Sequence, residues 1–260
     1  MDLSKLQTNR NITYSVVYKD EVDSTNTVAK MLAAEGIEDK TIVIADAQTS
    51  GKGRRGRSFE SKKGQGIYMT IVLRPDILPS KASMITIVAA AAVRKAIHSV
   101  TGIDCEIKWP NDIIVNGKKL SGILTEMSTK NNSIEYVLLG IGINVLNDEF
   151  ADDINDIATS VKIETGMSYK KEEIIIKVLE IFDEMYRVYL TTKDLSGIRP
   201  EYDKYLVNVG KKVKILSKDN SYEAVAIGID DDGELIIERN GKQEKIMSGE
   251  VSVRGVYGYV

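Results

Sequence analysis

The chain has one cysteine, Cys105, and one histidine, His98, among its 260 residues. A single thiol excludes an internal disulfide and any metal site built from cysteines. A single imidazole excludes a histidine-rich zinc site, and no serine–histidine–aspartate arrangement exists unless His98 serves in it. Tryptophan also occurs once, at Trp109, and proline four times. No apolar stretch stands at the start, where Met1-Asp2-Leu3-Ser4-Lys5 carries no cleavable signal. The most apolar run, residues 82–93 between Lys81 and Arg94, has twelve residues, too few to cross a bilayer. A reducing, cytoplasmic setting is the default expectation. Nor is there an excess of positive charge. The 35 Lys and Arg against 38 Asp and Glu leave a net −3, which disfavours a protein built wholly around a nucleic-acid backbone.

What is present suits one large domain, or a domain with a small appendage. Apolar residues make up 43% and charged residues 28%, enough for a real core. Short strands are expected at 14–19, 41–45 and 67–73, and between the first two a helix opens at Asp23 or Ser24 and stops at Gly36. Ile85, Val88, Ala89, Ala92, Val93 and Ala96 recur at three- and four-residue steps and mark a long helix. Strands at 105–115 and 119–127 meet through Asn116-Gly117, a strong hairpin signal, with Pro110 interrupting the first. A strand at 136–146, an acidic turn-like stretch at 147–168 and a helix at 170–190 follow. A boundary falls near 200–210. Beyond it lie only short strands, at 212–217, 223–229, 234–239 and 251–255, which suggest a small SH3-type barrel.

Two constellations carry chemistry. Residues 51–57, Gly-Lys-Gly-Arg-Arg-Gly-Arg, hold three glycines and four cations. Glycines let backbone amides approach a ligand, and arginine forks suit phosphate. The run is neither a P-loop nor a dinucleotide fingerprint. An anion-binding loop, a nucleic-acid contact and a solvated basic loop remain open on the residues alone. The second constellation is Lys108-Trp109-Pro110-Asn111-Asp112 with Lys119-Leu120-Ser121-Gly122. Trp109 reads as a core residue as well as a site residue. Lys108, Asn111 and Asp112 lie in buried-looking strand sequence, where charge must be paired or used. Lys119, just past the hairpin turn, is placed to reach the crevice of Asp112. Such a cation beside a carboxylate, facing an arginine loop, fits activation of an acid by a nucleotide. Gly140-Ile141-Gly142-Ile143-Asn144 admits close approach of a ligand or simple strand crowding. Cys105 reads as structural and His98 as a residue at a helix end.

These motifs resemble, in order and spacing from about residue 16 to the end, the biotin–protein ligases, also called biotin–[acetyl-CoA-carboxylase] ligases. The resemblance implies an α/β (α+β) fold: a class II synthetase-like mixed-sheet catalytic domain, 1–208, and a small C-terminal SH3-like β-barrel domain, 209–260. It implies an ATP-dependent ligase. Biotin and ATP form biotinyl-5′-AMP, and biotin passes to a lysine of a biotin carboxyl carrier protein. Carried over residue by residue, Arg54, Lys119 and Lys108 are catalytic. Ser24, Thr25, Asn26, Gln48, Lys52, Gly53, Arg54 and Lys119 bind biotin. Arg54, Arg55, Arg57, Phe59, Lys108, Asn111, Asp112 and Asn144 bind ATP and the adenylate, and Asp112 associates with Mg2+. Two positions depart from the family pattern. Lys52 stands where many members have Arg, which keeps charge and loses the fork; Phe59 stands where many have Trp. Some members carry an N-terminal winged helix-turn-helix. About fifteen residues precede the first strand here, so a short form without DNA regulation is expected, active as a monomer or homodimer and without a membrane. A lipoate–protein ligase of the same superfold and a nucleic-acid-binding module are the alternatives.

Overall fold

The computed structural model describes residues 14–216, 221–248 and 252–255. The alternation of apolar residues along the strands decides the architecture. Seven strands form one mixed sheet: β1 Ser15–Val22, β2 Thr41–Gln48, β3 Gly66–Leu73, β4 Glu106–Lys108, β5 Asp112–Val115, β6 Lys118–Lys130 and β7 Ser133–Asn144, in the spatial order β1-β2-β3-β7-β6-β5-β4. Only β1 and β2 run parallel. Odd-numbered residues of β3 and β7 (Ile67, Met69, Ile71; Leu139, Ile141, Ile143) face the main core. Their even-numbered neighbours point the other way, as the two-residue period of a strand requires.

The main core lies between the sheet and two long helices, α2 Met84–Thr101 and α4 Lys171–Thr192. Ala89, Ala90, Ala91 and Ala92 are all buried, and their small side chains let α2 sit close to both the sheet and α4. Gly102, at φ 74°, ends α2 with its N–H on His98 O at 2.9 Å. The apolar run is longer than its twelve central residues. The stretch Pro79–Thr101 is long and apolar enough to cross a membrane by length and composition, but most of it is buried within the protein as a core helix.

The opposite face is only half covered. Helix α1 Thr25–Ala34 lays Ala29 and Ala33 against Val43, Val72, Tyr136 and Leu138, a small second core at one end of the strands. The hairpin between β5 and β6 has both turn residues at positive φ, Asn116 at 50° and Gly117 at 76°, the requirement of a two-residue type I′ turn.

Three elements depart from expectation. The acidic stretch contains a short helix, α3 Val161–Thr165; the 200–210 boundary contains α5 Arg199–Lys204. A strand, β11 Lys242–Ile246, stands where no apolar alternation announces it. It joins β8 Lys212–Leu216, β9 Ser221–Ile229, β10 Leu235–Arg239 and β12 Ser252–Gly255 in a five-stranded antiparallel sheet of order β11-β10-β9-β8-β12, the small SH3-like unit. Ser217 and Val251, counted in the expected strands, lie outside the described residues. The connection is no loose linker. Ile107 N–H donates to Tyr205 O at 2.7 Å and Val207 N–H to Ile107 O at 2.9 Å, docking it along β4.

Candidate functional site

Glycine makes the site. On the half-open face, Gly122 of β6 stands in register with Gly142 of β7, and Gly140 lies two residues along β7, opposite Leu124. With no side chains there, the sheet is hollowed into a trough. Other groups fill the space that a Cβ would need. A Cβ on Gly140 would lie 2.3 Å from Asn26 Oδ1, one on Gly142 2.8 Å from the Phe59 ring, and one on Gly122 2.8 Å from Lys119 Nζ. The trough widens into a cavity of about 580 Å³, a size suited to a small-molecule ligand.

The two sequence constellations form its walls. Lys108 closes β4, and Trp109 and Pro110, joined by a cis peptide, lead to Asn111 and to Asp112 at the head of β5. Lys108 and Asn111 are buried, and all five residues line the cavity. Lys119 Nζ lies 2.6 Å from Asp112 Oδ1, so the hairpin does bring that cation to that carboxylate. The acidic turn-like stretch has a structural part here. Lys119 N–H donates to Ile157 O at 2.8 Å and Thr159 N–H to Lys119 O at 2.9 Å, which holds the lysine backbone from its outer side.

The glycine–arginine loop covers the trough. Residues 54–56 make one 3-10 turn, with Arg55 at φ 57° and Gly56 at φ 74°. The ends of the loop are tied by Phe59 N–H to Gly51 O at 2.9 Å. Phe59 lies over Gly142 and meets the Tyr68 ring edge-on at 6.4 Å. Arg54 turns inward. Its Nη1 donates to Asn111 Oδ1 at 2.9 Å and its Nη2 to Ser248 O of the C-terminal domain. Burial lowers its pKa from the ordinary guanidinium value, and the nearby Asp112 charge opposes that shift. A half-buried cation whose hydrogen-bonded partners here are neutral oxygens favours an anionic ligand. Lys52, Arg55 and Arg57 are exposed at the cavity rim, and Lys52 Nζ donates to Thr27 Oγ1 at 2.9 Å.

The remaining wall is the start of α1. Ser24 is its N-cap, accepting from Asn26 N–H at 3.3 Å. Ser24, Asn26, Gln48 and Gly53 line the cavity. Thr25 and Asn144 are not among its lining residues. Thr25 sits behind Gln48, its N–H donating to Gln48 Oε1 at 2.8 Å, and Asn144 Nδ2 donates to Thr159 O at 3.0 Å. Ile157, and Val253 from the C-terminal domain, line the cavity without any signal in their local sequence. His98 lies elsewhere, 3.0 Å from Ile103 O. Cys105 is buried, which pushes its thiol up to about 12. Neither the single imidazole nor the single thiol joins the site.

Among the described residues, six cations therefore line the cavity (Lys52, Arg54, Arg55, Arg57, Lys108 and Lys119) against one carboxylate, Asp112. Among the described residues no group of three His, Cys, Asp or Glu could hold a metal ion by itself.

The chain is similar to known proteins in sequence and in fold. Residues 18–144 match the model of the biotin/lipoate A/B protein ligase family, and residues 209–254 that of the biotin protein ligase C terminal domain. The bifunctional ligase/repressor BirA of Bacillus spizizenii is 38% identical over 92% of the chain and 74% of its own length. The biotin–[acetyl-CoA-carboxylase] ligase of Paracoccus denitrificans is 32% identical over 90% of the chain and 98% of its own. The solved biotin protein ligase of Aquifex aeolicus, in complex with biotin and ATP, superposes with a TM-score of 0.81 at 29% identity, covering 93% and 99% of the two chains.

Proposed function

Since the chain belongs to the biotin/lipoate A/B protein ligase family, we propose that its cavity carries out ATP-dependent biotinylation of a carrier protein. One observation carries this reading: a glycine-floored trough in which, among the described residues, six cations face one carboxylate, under a loop that can cover its contents.

In the first step a carboxylate oxygen of biotin attacks the α-phosphorus of ATP. The bond from that phosphorus to the bridging oxygen breaks, and pyrophosphate leaves with the electron pair. Arg54, Lys108 and Lys119 stabilise the charge that develops on the phosphoryl oxygens. Lys119, anchored to Asp112, also neutralises the incoming carboxylate. Ser24, Asn26 and Gln48 hold the acid at the α1 end, and Phe59 offers an aromatic face to the adenylate. In the second step the neutral ε-amine of a lysine on the carrier attacks the acyl carbon, AMP leaves, and the amine proton passes to solvent. Neither step needs a covalent enzyme intermediate, which suits a site without histidine or cysteine. The mixed anhydride is hydrolysable, and the loop over the trough keeps water from it.

Magnesium fits as an ion brought by the nucleotide. Asp112 would supply the one carboxylate of the site to it, and the ion would offset charge on the phosphates. The reading extends to a cytoplasmic enzyme, monomer or homodimer, whose macromolecular partner is a biotin carboxyl carrier protein rather than DNA or a membrane. The test is pyrophosphate release with ATP, magnesium and either biotin or lipoate. Release with biotin is expected. Release with lipoate alone, or none with either, would overturn it.

A further inference from the structure

Gln48 has almost no hydrogen-bonding choice left. Its Oε1 accepts from Thr25 N–H at 2.8 Å and faces the Thr25 hydroxyl at 3.1 Å. A backbone N–H can only donate, so the amide oxygen must point to Thr25. Its Nε2 donates to Ser61 Oγ at 2.8 Å. The Ser61 hydroxyl in turn donates to Phe59 O, at 2.9 Å, an atom that can only accept. With its own proton spent there, Ser61 must accept from Gln48. The amide is thus fixed from both ends, and what remains for the cavity is one Nε2–H.

Ser61 itself is buried, 6% exposed, and lies outside the cavity. It sits at the root of the cationic loop. A Cβ on Gly51 would lie 2.3 Å from Phe59 O, 2.7 Å from Ser61 Oγ and 3.0 Å from Gln48 Nε2. The node is packed against the bare α-carbon of the loop's first glycine, and Ser61 O accepts from Gln48 N–H at 3.1 Å.

We infer that Ser61 is a positioning residue: it holds Gln48 as an obligate hydrogen-bond donor to an acceptor oxygen of the bound acid, and ties that donor to the root of the loop that meets the phosphates. The inference rests on the biotin reading of the cavity. Without the Ser61 hydroxyl, the Gln48 amide keeps only its Thr25 anchor: its Nε2 loses a partner and is no longer held in place toward the cavity.

The test is a double-mutant cycle of Ser61→Ala and Gln48→Ala. Biotin and ATP KM and kcat are followed by pyrophosphate release, and biotin affinity by Trp109 emission. Wild type comes first: a protein that neither binds biotin nor releases pyrophosphate with it overturns the biotin reading, not the wiring. With wild type active, Ser61→Ala should raise the biotin KM about tenfold, with a much smaller change in ATP KM. In the Gln48→Ala background the same change should shift biotin KM less than about twofold, because the residue it acts through is gone. An unchanged biotin KM, or equal losses in both backgrounds, would overturn the inference. Should Ser61→Ala fail to fold, Ser61→Cys keeps the volume with a weaker acceptor and carries the same expectations.

Discussion

At the scale of single residues, the chemistry concentrates on side chains whose environments restrict what they can do. Arg54 is the clearest. It is half-buried, its pKa lowered by burial, and its two terminal nitrogens rest on an amide oxygen and a carbonyl oxygen. Its charge is therefore satisfied enough to persist and exposed enough to be drawn to phosphate. Arg54→Ala should leave the fold intact, since the side chain belongs to neither core. It should lower kcat for adenylate formation by about a hundredfold, the scale of one preorganised donor lost from a developing charge. Arg54→Lys should recover part of that loss, because it restores the charge and not the fork. Single-turnover pyrophosphate release together with thermal melting checks both. An Arg54→Ala enzyme of wild-type rate would remove the residue from the chemistry.

At the scale of elements, the site depends on strand parity. Gly140 and Gly142 are on the open face because Leu139, Ile141 and Ile143 are in the core, so the choice that the sequence leaves open, ligand approach or strand crowding, is decided by register. Each glycine makes room for a different neighbour. Gly140→Ala drives a Cβ against Asn26 Oδ1 and should raise the biotin KM more than the ATP KM. Gly142→Val meets the Phe59 ring and should do the reverse. Steady-state kinetics on the pair tests this, and equal effects on both substrates would show that the trough is not divided this way. The same parity explains what was legible in the sequence. Periodic α2 and α4, the Asn116-Gly117 turn and the alternating β3 and β7 are local signals. Strand β11 escapes because Lys242, Gln243, Glu244 and Lys245 are all exposed on an edge, and the single buried apolar residue, Ile246 at its end, makes no alternation. Helix α3, at five residues, is too short to show a period. The cationic loop and the Lys108–Asp112 segment were legible because glycine and charge are conspicuous where core is expected. Ile157, Val253 and Ser61 were not, because only long-range docking brings them to the cavity or to its supports.

At the scale of the whole molecule, the acidic total and the cationic cavity belong together: a net −3 leaves little long-range attraction for polyanions, while among the described residues six cations against one carboxylate act inside a single cavity. That place also needs the small domain. Trp109 Nε1 donates to Gly233 O at 3.1 Å, and Arg54 reaches Ser248 O. The 230–234 turn that presents Gly233 is organised by Asp230. Its Oδ1 accepts from Asp232 N–H at 3.0 Å and Glu234 N–H at 2.9 Å, and its Oδ2 pairs with Lys245 Nζ at 2.8 Å. Burial alone would raise the Asp230 pKa, but the hydrogen bonds from Lys245, Glu234 and Asp232 outweigh it and hold the carboxyl below its usual value. A carboxyl depressed in the folded state stabilises it above the unfolded pKa of about 3.9, and that contribution disappears as pH falls through the lower folded value. Asp230→Ala should therefore cost about 1–2 kcal/mol at pH 7. The difference from wild type should shrink as pH drops below about 4 and vanish once both carry no charge at this position. Urea unfolding followed by Trp109 emission reads the turn directly, since the indole N–H bonds to it. A variant equally stable at pH 7, or a gap that persists unchanged to pH 2, would mean that the Asp230 carboxylate does not hold the turn against the catalytic domain.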